Sequence, residues 1–574
     1  MINTLFCSKE TSIPDLLEIF ENSVSNDLPS GIAIVVNKNN SVIGTITDGD
    51  IRRYLIKNNN LDAIAEDLME NNPILFSAEK NLSEIAKLIP IELLKRGRRS
   101  NKVLSKIILV NKKNQPIRIL NYHEIWEQRV ATHRHIVILG LGYVGLTMAS
   151  IIADSGFIVT GFDTDKKKIK LLNQNKNYIH EKGLSELIKK NLNKSFFVTN
   201  ELPVNGDVYV VSVGTPLNKN KKPDMSYLKS ACTMIGKVLK RGNLVILRST
   251  VPIGTTGGFV KELLEQKSNL KCGIDFYLSF APERTAEGKA LIELRNLPQI
   301  IGGYNKDSLE ATVAIFRDIT NKIVRVDTLE SAEMAKLINN SFRDYIFAYS
   351  NQIAVIGSKY NIDVVKVIKA ANDGYTRDPV PLPSPGVGGP CLTKDPYIFA
   401  SSSSKIKLKD KIFKTGRKIN EGMHHFIFNC IENELKRIGK NDSKKLNVFI
   451  CGLAFKGNPE TGDLRNSSSI EIIKIFENMN FNISGYDPVA SIADIKSFGI
   501  LYNNISDGFR NADVVIFLNN HISFSNLKIA KLISHMKELP IIFDGWSLFD
   551  YNKILNIRPC TYMGLSFSKS SIKQ

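Results

Sequence analysis

The sequence predicts an α/β protein with two doubly wound domains joined by a central helical domain and preceded by a smaller α+β module. Two regions alternate buried strands with amphipathic helices, a long helical pattern lies between them, and the first 130 residues contain an internal repeat. A chain of 574 residues exceeds what one hydrophobic core supports. We expect domains at residues 1–130, 133–325, 326–440 and 445–574.

The composition is that of an ordinary globular protein, with 43% hydrophobic and 23% charged residues. No apolar run reaches membrane-spanning length, and the first six residues lack the pattern of a secretory signal. We therefore expect a cytoplasmic protein without a membrane partner. The seven cysteines are scattered, without the spacing of a disulfide framework or a zinc site, so no metal is expected.

The net charge of +19 raises the question of nucleic-acid binding. The lysines are spread thinly beside asparagine and isoleucine, and no basic stripe is interleaved with aromatic residues. We expect no nucleic-acid partner, since an anionic small ligand such as a nucleotide is enough for a basic surface to attract.

Residues 32–51 and 107–125 resemble one another at an offset of about 74. In the first copy, two strands surround an Asn-rich turn, and a helix begins near Asp48. The pair resembles two cystathionine β-synthase (CBS) domains, which commonly bind adenine nucleotides. The resemblance implies that Thr47 and Asp50 of the Thr-x-x-Asp-Ile pattern hold a ribose. The alternative is a docking or dimerising module.

A buried strand at 135–139 leads into a Gly-x-Gly-x-x-Gly loop, a helix and a second strand that ends in Asp163. This order is the complete dinucleotide-binding fingerprint of a Rossmann-like domain. The glycines let a pyrophosphate reach the helix N-terminus, and Asp163 would bind a ribose 2′-hydroxyl, which favours NAD over NADP. The candidate residues are Gly140, Gly142, Tyr143, Val144, Gly145, Asp163 and Lys168. A nucleotide-free Rossmann-like fold is the alternative.

Three later strands carry polar residues at their carboxyl ends, where an open α/β sheet binds ligands. The first ends in Gly-Thr215-Pro, the second contains Thr250, and the third contains Glu283 and Glu287. The C-terminal region repeats the strand and helix alternation and includes Lys456 and Arg465. Its glycine-poor first loop argues against a second dinucleotide site.

The stretch at 383–396 places Cys391 in a glycine-rich loop that includes Gly388 and Gly389. Lys394 and Asp395 lie one helical turn further on. A cation beside a thiol favours the nucleophilic thiolate, and a carboxylate could activate a water. The pattern indicates covalent thiol chemistry followed by hydrolysis. An ordinary turn with a buried cysteine is the alternative.

A helical pattern at 330–351 carries Lys336, Asn340 and Arg343 on one face. Taken alone, such a polar stripe is typical of solvated surface. A role in a binding site would require other functional residues to lie close to this face.

In this order, these segments resemble the UDP-glucose/GDP-mannose dehydrogenase family from about His133 to Gly564. The resemblance implies a four-electron oxidation of a nucleotide-sugar C6 alcohol to a carboxylate with two NAD, yielding a uronate for a surface polysaccharide. It also implies a homodimer or higher homo-oligomer, since the family's long helix often packs two subunits together.

The family resemblance further implies residue roles. Cys391 would capture the aldehyde as a thiohemiacetal that becomes a thioester. Lys336 and Asn340 would steady the oxyanion, Asp395 would handle the hydrolytic water, and Glu283 would assist hydrolysis. Thr215, Thr250, Glu287 and Lys394 complete the cofactor-binding set near the nicotinamide and sugar. The implied substrate-binding residues are Arg343, Gly388, Gly389, Lys456 and Arg465.

The segment at 281–294 is similar to the branch that acts on UDP-N-acetylhexosamines, which implies UDP-GlcNAc or UDP-ManNAc as substrate. Pro390 departs from that branch, which usually has a histidine before the cysteine, and Lys394 lies in a Thr-Lys-Asp pattern similar to the UDP-glucose branch. Gln299 stands where an arginine is customary before Ile-Gly-Gly. UDP-glucose and GDP-mannose therefore stay open as substrates, and a non-catalytic nucleotide-sensing protein is the alternative from another class.

Overall fold

The structure is a computed structural model. It describes residues 2–25, 31–78, 80, 85, 88–89, 92, 95, 106–121, 134–320, 322–405, 412–440 and 446–572. The chain divides into two compact units, one of Met1–Arg134 with Ser155–Ile158 and one of His135–Asp154 with Val159–Gln574. The expected domain limits at 130, 133, 445 and 574 lie outside the described residues.

The first unit contains two three-stranded sheets of the same design. In each sheet a parallel pair is followed by an antiparallel hairpin, and the hairpin register shifts at Val35/Val36 in one copy and at Leu109/Val110 in the other. The strands are β1 (Phe6–Cys7), β2 (Ile32–Val36), β3 (Val42–Thr47), β4 (Leu75–Ser77), β5 (Lys106–Val110) and β6 (Pro116–Asn121), with helices α1 (Ile13–Ser25), α2 (Asp48–Asn58) and α3 (Ala65–Leu68).

The two hairpin turns of this unit contact each other reciprocally. The Ser41 hydroxyl donates to the Lys113 carbonyl at 2.9 Å, and the Gln115 amide donates to the Asn39 carbonyl at 2.8 Å. Each pair maps onto the other when 74 is added to or subtracted from its residue numbers. The internal repeat expected from the sequence is therefore present as a pseudo-twofold pair.

The second unit begins with an eight-stranded sheet in the order β14-β13-β12-β11-β10-β7-β8-β9. The strands pair in parallel except for the antiparallel β12 and β13. They are β7 (His135–Leu139), β8 (Ile158–Phe162), β9 (Phe196–Thr199), β10 (Val208–Val211), β11 (Leu244–Leu247), β12 (Tyr277–Phe280), β13 (Gln299–Gly303) and β14 (Ile323–Val326). The helices are α4 (Tyr143–Asp154), α5 (Lys166–Asn173), α6 (Leu184–Asn191), α7 (Ser226–Val238), α8 (Lys261–Ser268), α9 (Ala290–Asn296) and α10 (Lys306–Phe316). Strand order reverses at β7, which creates a ligand-binding crevice at its carboxyl end.

A helical region follows, dominated by the 31-residue helix α11 (Leu329–Lys359). The Thr328 side chain caps this helix by accepting from the Ser331 amide at 3.1 Å. The other helices are α12 (Val364–Asn372), α13 (Asp395–Lys405) and α14 (Ile412–Arg437). The long polar-faced helix predicted from residues 330–351 is thus observed, and α13 and α14 pack against it.

The last region has a seven-stranded sheet in the order β17-β16-β15-β18-β19-β20-β21, parallel except for its final pair. Its strands are β15 (Asn447–Cys451), β16 (Asn482–Tyr486), β17 (Leu501–Tyr502), β18 (Val514–Phe517), β19 (Ile541–Asp544), β20 (Thr561–Met563) and β21 (Ser568–Ser570). Its helices are α15 (Ser468–Asn478), α16 (Ile492–Ser497), α17 (Ile505–Phe509), α18 (Ile522–Ser525), α19 (Ile529–Ile533) and α20 (Tyr551–Leu555). The predicted class, two doubly wound domains around a helical region, is confirmed.

The two large sheets share one local device. Asp163 follows β8 and accepts the Leu141 amide of the first loop at 2.8 Å, and Asp487 follows β16 and accepts the Leu453 amide at 2.9 Å. In both domains the acid therefore fixes the loop that leaves the first strand. Across the described ranges, no helix is both long and apolar enough to cross a bilayer.

Candidate active site

The loop after β7 has the geometry that a dinucleotide needs. Gly140 has a φ of 91°, and a Cβ on Gly145 would lie 1.8 Å from the Gly140 carbonyl oxygen, so both positions require glycine. At Gly142 an added Cβ would meet nothing within 4 Å, which leaves open space beside the N-terminus of α4. The residues present fit a bound pyrophosphate.

Asp163 lies at the carboxyl end of β8 with most of its surface buried. One oxygen accepts the Leu141 amide and lies 3.2 Å from the Lys168 ammonium, while the other accepts the Asp165 amide at 2.9 Å. The carboxylate is thus held at the position where the fingerprint expects a ribose hydroxyl, and Lys168 balances its charge.

Tyr143, at the start of α4, connects this loop to a distant segment. Its hydroxyl donates to the Glu181 carboxylate, and the Gly288 amide donates to both groups, at 3.0 Å to the Tyr143 oxygen and 2.8 Å to Glu181. Burial and the Glu181 carboxylate raise the pKa of Tyr143, so the phenol stays protonated. The sequence analysis did not identify Glu181.

The strand ends on the other side of the crevice are fixed by hydrogen bonds. The buried Thr215 hydroxyl donates to the Thr250 carbonyl at 2.6 Å. Glu333 of α11 accepts the amides of Gly254 and Thr256 at 2.6 and 2.8 Å, and burial raises its pKa to about 7. The loop that carries Thr250 is therefore anchored to the long helix.

The glycine-rich loop before Cys391 packs closely against the C-terminal domain. The Gly389 amide donates to the Asn466 carbonyl at 3.0 Å, and Gly389 has a φ of 92°. A Cβ on Gly388 would lie 2.6 Å from that carbonyl oxygen, and a Cβ on Gly389 would lie 2.7 Å from the Phe455 ring. Any other residue at these two positions would push the loop off its partner domain.

Cys391 and Asp395 are brought together by one turn of helix. The amides of Lys394 and Asp395 donate to the Cys391 carbonyl at 3.1 and 2.9 Å. The fully buried Asp395 carboxylate accepts from the Asn340 amide at 2.5 Å and pairs with the Lys394 ammonium at 3.0 Å. Residues expected from two separate stretches, Lys394 and Asp395 from 383–396 and Asn340 from 330–351, thus form one cluster with the cysteine.

The environment of the thiol differs from the expectation that its neighbours favour the thiolate. Desolvation by the surrounding protein raises the pKa of Cys391, even though part of the residue is solvent-accessible. The charges of Lys336 and Lys394 lower this pKa, and those of Asp395 and Glu287 raise it. Desolvation is the largest of these effects, and the net shift of the Cys391 pKa is upward.

The buried Arg417 of α14 supports the reactive loop, a role that the sequence analysis missed. Its guanidinium pairs with Asp344 at 2.6 Å and donates to the Val387 and Leu392 carbonyls at 3.2 and 3.5 Å. It therefore holds the loop on both sides of Cys391. An arginine beside Gly416 in a helix gave no local sign of this partner.

Glu283 lies buried near Lys336, whose charge helps to lower the pKa of its carboxyl. Its direct partner is the guanidinium of Arg248, at 2.5 Å. Arg248 was not among the expected residues, although a charged residue directly after a buried strand is a signal that could have identified it.

Glu287 was expected to border the nicotinamide and the sugar, and in the structure it contacts the C-terminal domain. Its backbone carbonyl accepts from the Lys456 ammonium at 2.8 Å, and its carboxylate lies 3.8 Å from Arg465. Burial and the charge of Asp463 raise the pKa of Glu287 to about 7. Arg465 itself pairs with Asp463 at 2.5 Å. Glu287 therefore connects the domain of the eight-stranded sheet to Lys456 and Arg465, the two predicted substrate-binding cations.

The remaining candidates lie apart from these contacts. Arg343 is exposed on α11, within electrostatic range of Lys456. In the first unit, the Thr47 amide and hydroxyl donate to Asp50 at 2.8 and 2.6 Å, and Arg53 pairs with the same carboxylate. Asp50 thus caps α2 in this structure.

Comparison with known proteins adds independent information. Three models of the UDP-glucose/GDP-mannose dehydrogenase family match: its NAD-binding domain at residues 134–320, its central domain at 330–422 and its UDP-binding domain at 449–551. A CBS-domain model matches residues 1–57. The cluster of Cys391, Asp395, Asn340 and Lys394 lies within the match to the family's central domain.

Individual relatives are similar over most of their length. A UDP-N-acetyl-D-mannosamine dehydrogenase of Methanococcus aeolicus is 33% identical over 422 residues, 73% of this chain and 92% of the relative. An NDP-N-acetyl-D-galactosaminuronic acid dehydrogenase of Ralstonia nicotianae is 29% identical, over 70% of this chain and 94% of its own. The solved UDP-D-ManNAc dehydrogenase of Pyrococcus horikoshii is 30% identical with a TM-score of 0.68, covering 75% of this chain and 99% of its own.

Proposed function

Because the chain belongs to the UDP-glucose/GDP-mannose dehydrogenase family and carries its NAD-binding domain, we propose that it oxidises the C6 alcohol of a UDP-N-acetylhexosamine to the uronate. UDP-ManNAc is the first candidate and UDP-GlcNAc the second, for use in surface polysaccharide synthesis. The observation that carries the proposal is the cluster of Cys391 with Asp395, Asn340 and Lys394 beside Lys336. The relatives named for N-acetylated sugars support the substrate class.

The cofactor supplies the hydride acceptor, and the chain's residues handle the sugar. In the first oxidation the C6 alcohol would give its hydride to bound NAD and its proton to solvent, and so become an aldehyde. The Cys391 sulfur then adds to the aldehyde carbon, and its proton goes to the new oxygen, giving a thiohemiacetal. The thiohemiacetal would then give a second hydride to a second NAD and its hydroxyl proton to solvent, which leaves a thioester on Cys391. Lys336 and Asn340 stabilise negative charge on the C6 oxygen through these steps.

Hydrolysis completes the reaction. A water oxygen bonds to the thioester carbon, the carbon–sulfur bond breaks, and the sulfur recovers a proton as the carboxylate leaves. We assign Asp395 to orient this water and take its proton, because it is fixed by Asn340 and Lys394 one turn from Cys391. We assign Glu283, which lies near Lys336, to assist this hydrolysis. Lys456 and Arg465 face the nucleotide sugar.

The test is to incubate purified full-length protein and NAD with UDP-ManNAc, UDP-GlcNAc, UDP-glucose and GDP-mannose in parallel. Two NADH per acetylated sugar consumed would support the proposal. Reaction with UDP-glucose or GDP-mannose alone would overturn the substrate class. Binding of a nucleotide sugar without NADH would favour a non-catalytic nucleotide-sensing protein.

We assign the enzyme to the cytoplasm, since all seven cysteines are unpaired and Cys391 must stay reduced.

We further propose that α11 packs two copies of this chain into a homodimer. Large apolar side chains recur along one exposed side of the helix, with Ile338 47%, Phe342 63%, Tyr349 55% and Ile356 54% exposed. A stripe of this length on one helix is the chemistry of a protein interface. A second copy is the occupant that this helix fits, because the stripe can meet itself across a twofold axis.

The Phe342→Glu variant is expected to convert the dimer into a monomer of 64.2 kDa, because a carboxylate at the centre of an apolar interface is desolvated without a partner. Light scattering after size-exclusion chromatography measures the mass. Ile274→Glu is the matched control, since it places the same carboxylate on another exposed apolar residue. Ile274 is 80% exposed and lies before β12, away from α11. A wild-type protein that already elutes as a monomer would refute the dimer.

For the first unit we propose adenine-nucleotide binding at Thr47 and Asp50, with an effect on the dehydrogenase rate. Support comes from the CBS-domain match and the paired architecture. A docking or dimerising module is the competing function, and the capping of α2 by Asp50 favours a structural role for this carboxylate.

A pair of matched variants separates the two functions. Asp50→Ala and Asp67→Ala each remove a carboxylate that caps a short helix, at 2.8 Å from the Thr47 amide and 3.1 Å from the Ile64 amide. Each is expected to cost about 1 kcal/mol of unit stability. Only Asp50→Ala is expected to weaken ATP, ADP or AMP binding, by at least about tenfold. Equal nucleotide responses in both variants would leave a docking or dimerising module.

A further inference from the structure

Arg248 follows β11 directly, and its side chain is completely buried. One guanidinium nitrogen donates to the Ala281 carbonyl at 3.0 Å and to the Gln299 side chain at 3.1 Å, and another donates to the Glu283 carboxylate at 2.5 Å. The guanidinium also lies over the Phe316 ring, 5.5 Å from its centre. A buried guanidinium is tolerated only when it is paired, so this contact with Glu283 is required by the fold.

The same contact controls the chemistry available to Glu283. Its second oxygen accepts the backbone amides of Arg284 and Thr285 at 2.7 and 2.8 Å. Burial alone would raise the pKa of this carboxyl, but Arg248, the Thr285 amide and the charge of Lys336 lower it below its usual value. Glu283 therefore stays ionised and acts as a hydrogen-bond acceptor in a fixed direction.

We propose that Arg248 is a positioning residue for the dehydrogenase reaction, fixing Glu283 as an ionised acceptor next to Lys336. The inference rests on the proposed function, because it is the C6 oxidation and hydrolysis that Glu283 serves. Gln299, which stands where the family pattern has an arginine, holds the other side of the same guanidinium. The positive charge beside Glu283 therefore belongs to Arg248 at the end of β11. Gln299 of β13 is a neutral hydrogen-bond partner of the same guanidinium.

A purely structural ion pair would have the same contacts, so the test needs a readout beyond stability. The kcat of the wild type and three variants is measured from pH 4 to 9 with saturating UDP-ManNAc and NAD, together with KM and Tm, because the acidic limb set by an ionised Glu283 lies below the usual pKa of a glutamate. The variants are Arg248→Lys, the exchange Arg248→Gln/Gln299→Arg, and the control Arg437→Lys. Arg437 pairs with the buried Glu434 at 2.5 Å at the end of α14, which makes it an arginine–glutamate control pair outside the site.

For Arg248→Lys we expect kcat to fall about tenfold with an unchanged sugar KM, since Arg248 touches no substrate. The acidic limb of the kcat profile should move up by about one pH unit, because a lysine cannot contact Glu283 with one nitrogen while a second nitrogen is held by Ala281 and Gln299. The exchange variant should return this limb to its wild-type position, since it restores a guanidinium beside Glu283. Arg437→Lys should lower Tm and leave the kcat profile unchanged.

An unshifted acidic limb in a folded Arg248→Lys variant would overturn the proposal. So would loss of folding in both Arg248 variants, because Arg248 would then be purely structural. The wild-type arm keeps the two hypotheses apart. A wild type inactive on every nucleotide sugar would overturn the proposed function and remove the reaction that Arg248 is proposed to serve, whereas an active wild type with unshifted variants would overturn only the role of Arg248.

Discussion

The variant Cys391→Ala is expected to lower uronate formation by at least about 10³-fold while UDP-sugar binding is retained. The alanine cannot form the thiohemiacetal, and without it the aldehyde has no covalent route to the second oxidation. The proposed substrate-binding residues Lys456 and Arg465 belong to the C-terminal domain and contact Glu287, and this substitution leaves them unchanged. NADH release per sugar and calorimetric titration with the nucleotide sugar measure the two properties.

The control for this variant is Cys430→Ala. Cys430 is a partly buried cysteine of α14 that packs beside the C-terminal core and lies outside the reactive cluster. Removal of its sulfur should change kcat by less than about twofold. Two NADH per sugar at an undiminished rate from Cys391→Ala would show that no covalent sulfur intermediate is needed, and the assigned mechanism would be wrong.

Much of the site could be predicted because its parts are local in sequence. The fingerprint from β7 to Asp163 is a continuous strand, loop, helix and strand, and the structure forms it with the expected glycine geometry. Cys391 and Asp395 are four residues apart, so one turn of helix is enough to bring them together. The offset of 74 in the first unit likewise reappears as equivalent hairpins.

The parts that escaped prediction depend on contacts between distant residues. Arg248 and Glu283 are 35 positions apart, and Arg417 and Asp344 are 73 apart. Their pairing is set by neighbouring strand ends and by helix packing, which no local pattern encodes. Glu287 is a further case, since its partners Lys456 and Arg465 come from another domain.

The thiol shows why residue type does not decide protonation. The lysine that follows Cys391 in the sequence, Lys394, favours a thiolate, yet desolvation raises the pKa of the thiol. Burial depends on how the loop packs against α11 and the C-terminal domain, and the pKa follows from that packing. We infer that the thiol must lose its proton during attack on the aldehyde.

Lys336→Met is expected to reduce kcat by about 10²- to 10³-fold, the effect of removing one donor to a developing oxyanion. The same variant should also make the thiol less acidic. Lys336 lowers the pKa of Cys391 and so opposes the burial that raises it, and without the ammonium the pKa rises further. Iodoacetamide alkylates the thiolate, so the pH profile of Cys391 alkylation should shift to higher pH. At a fixed pH below the pKa, the alkylation rate should fall tenfold for each unit by which the pKa rises.

Both effects should be absent in Lys359→Met. This control removes an exposed lysine from the last turn of the same helix, so it tests for a general effect of losing one positive charge from α11. The two readouts also divide the roles of Lys336. A fall in kcat with an unshifted alkylation profile would assign Lys336 to the oxyanion alone, and a shifted profile with unchanged kcat would contradict its assignment to the oxyanion. A lower kcat together with an alkylation profile shifted to higher pH is the result expected from a buried cation that acts on the C6 oxygen and on the sulfur that attacks C6.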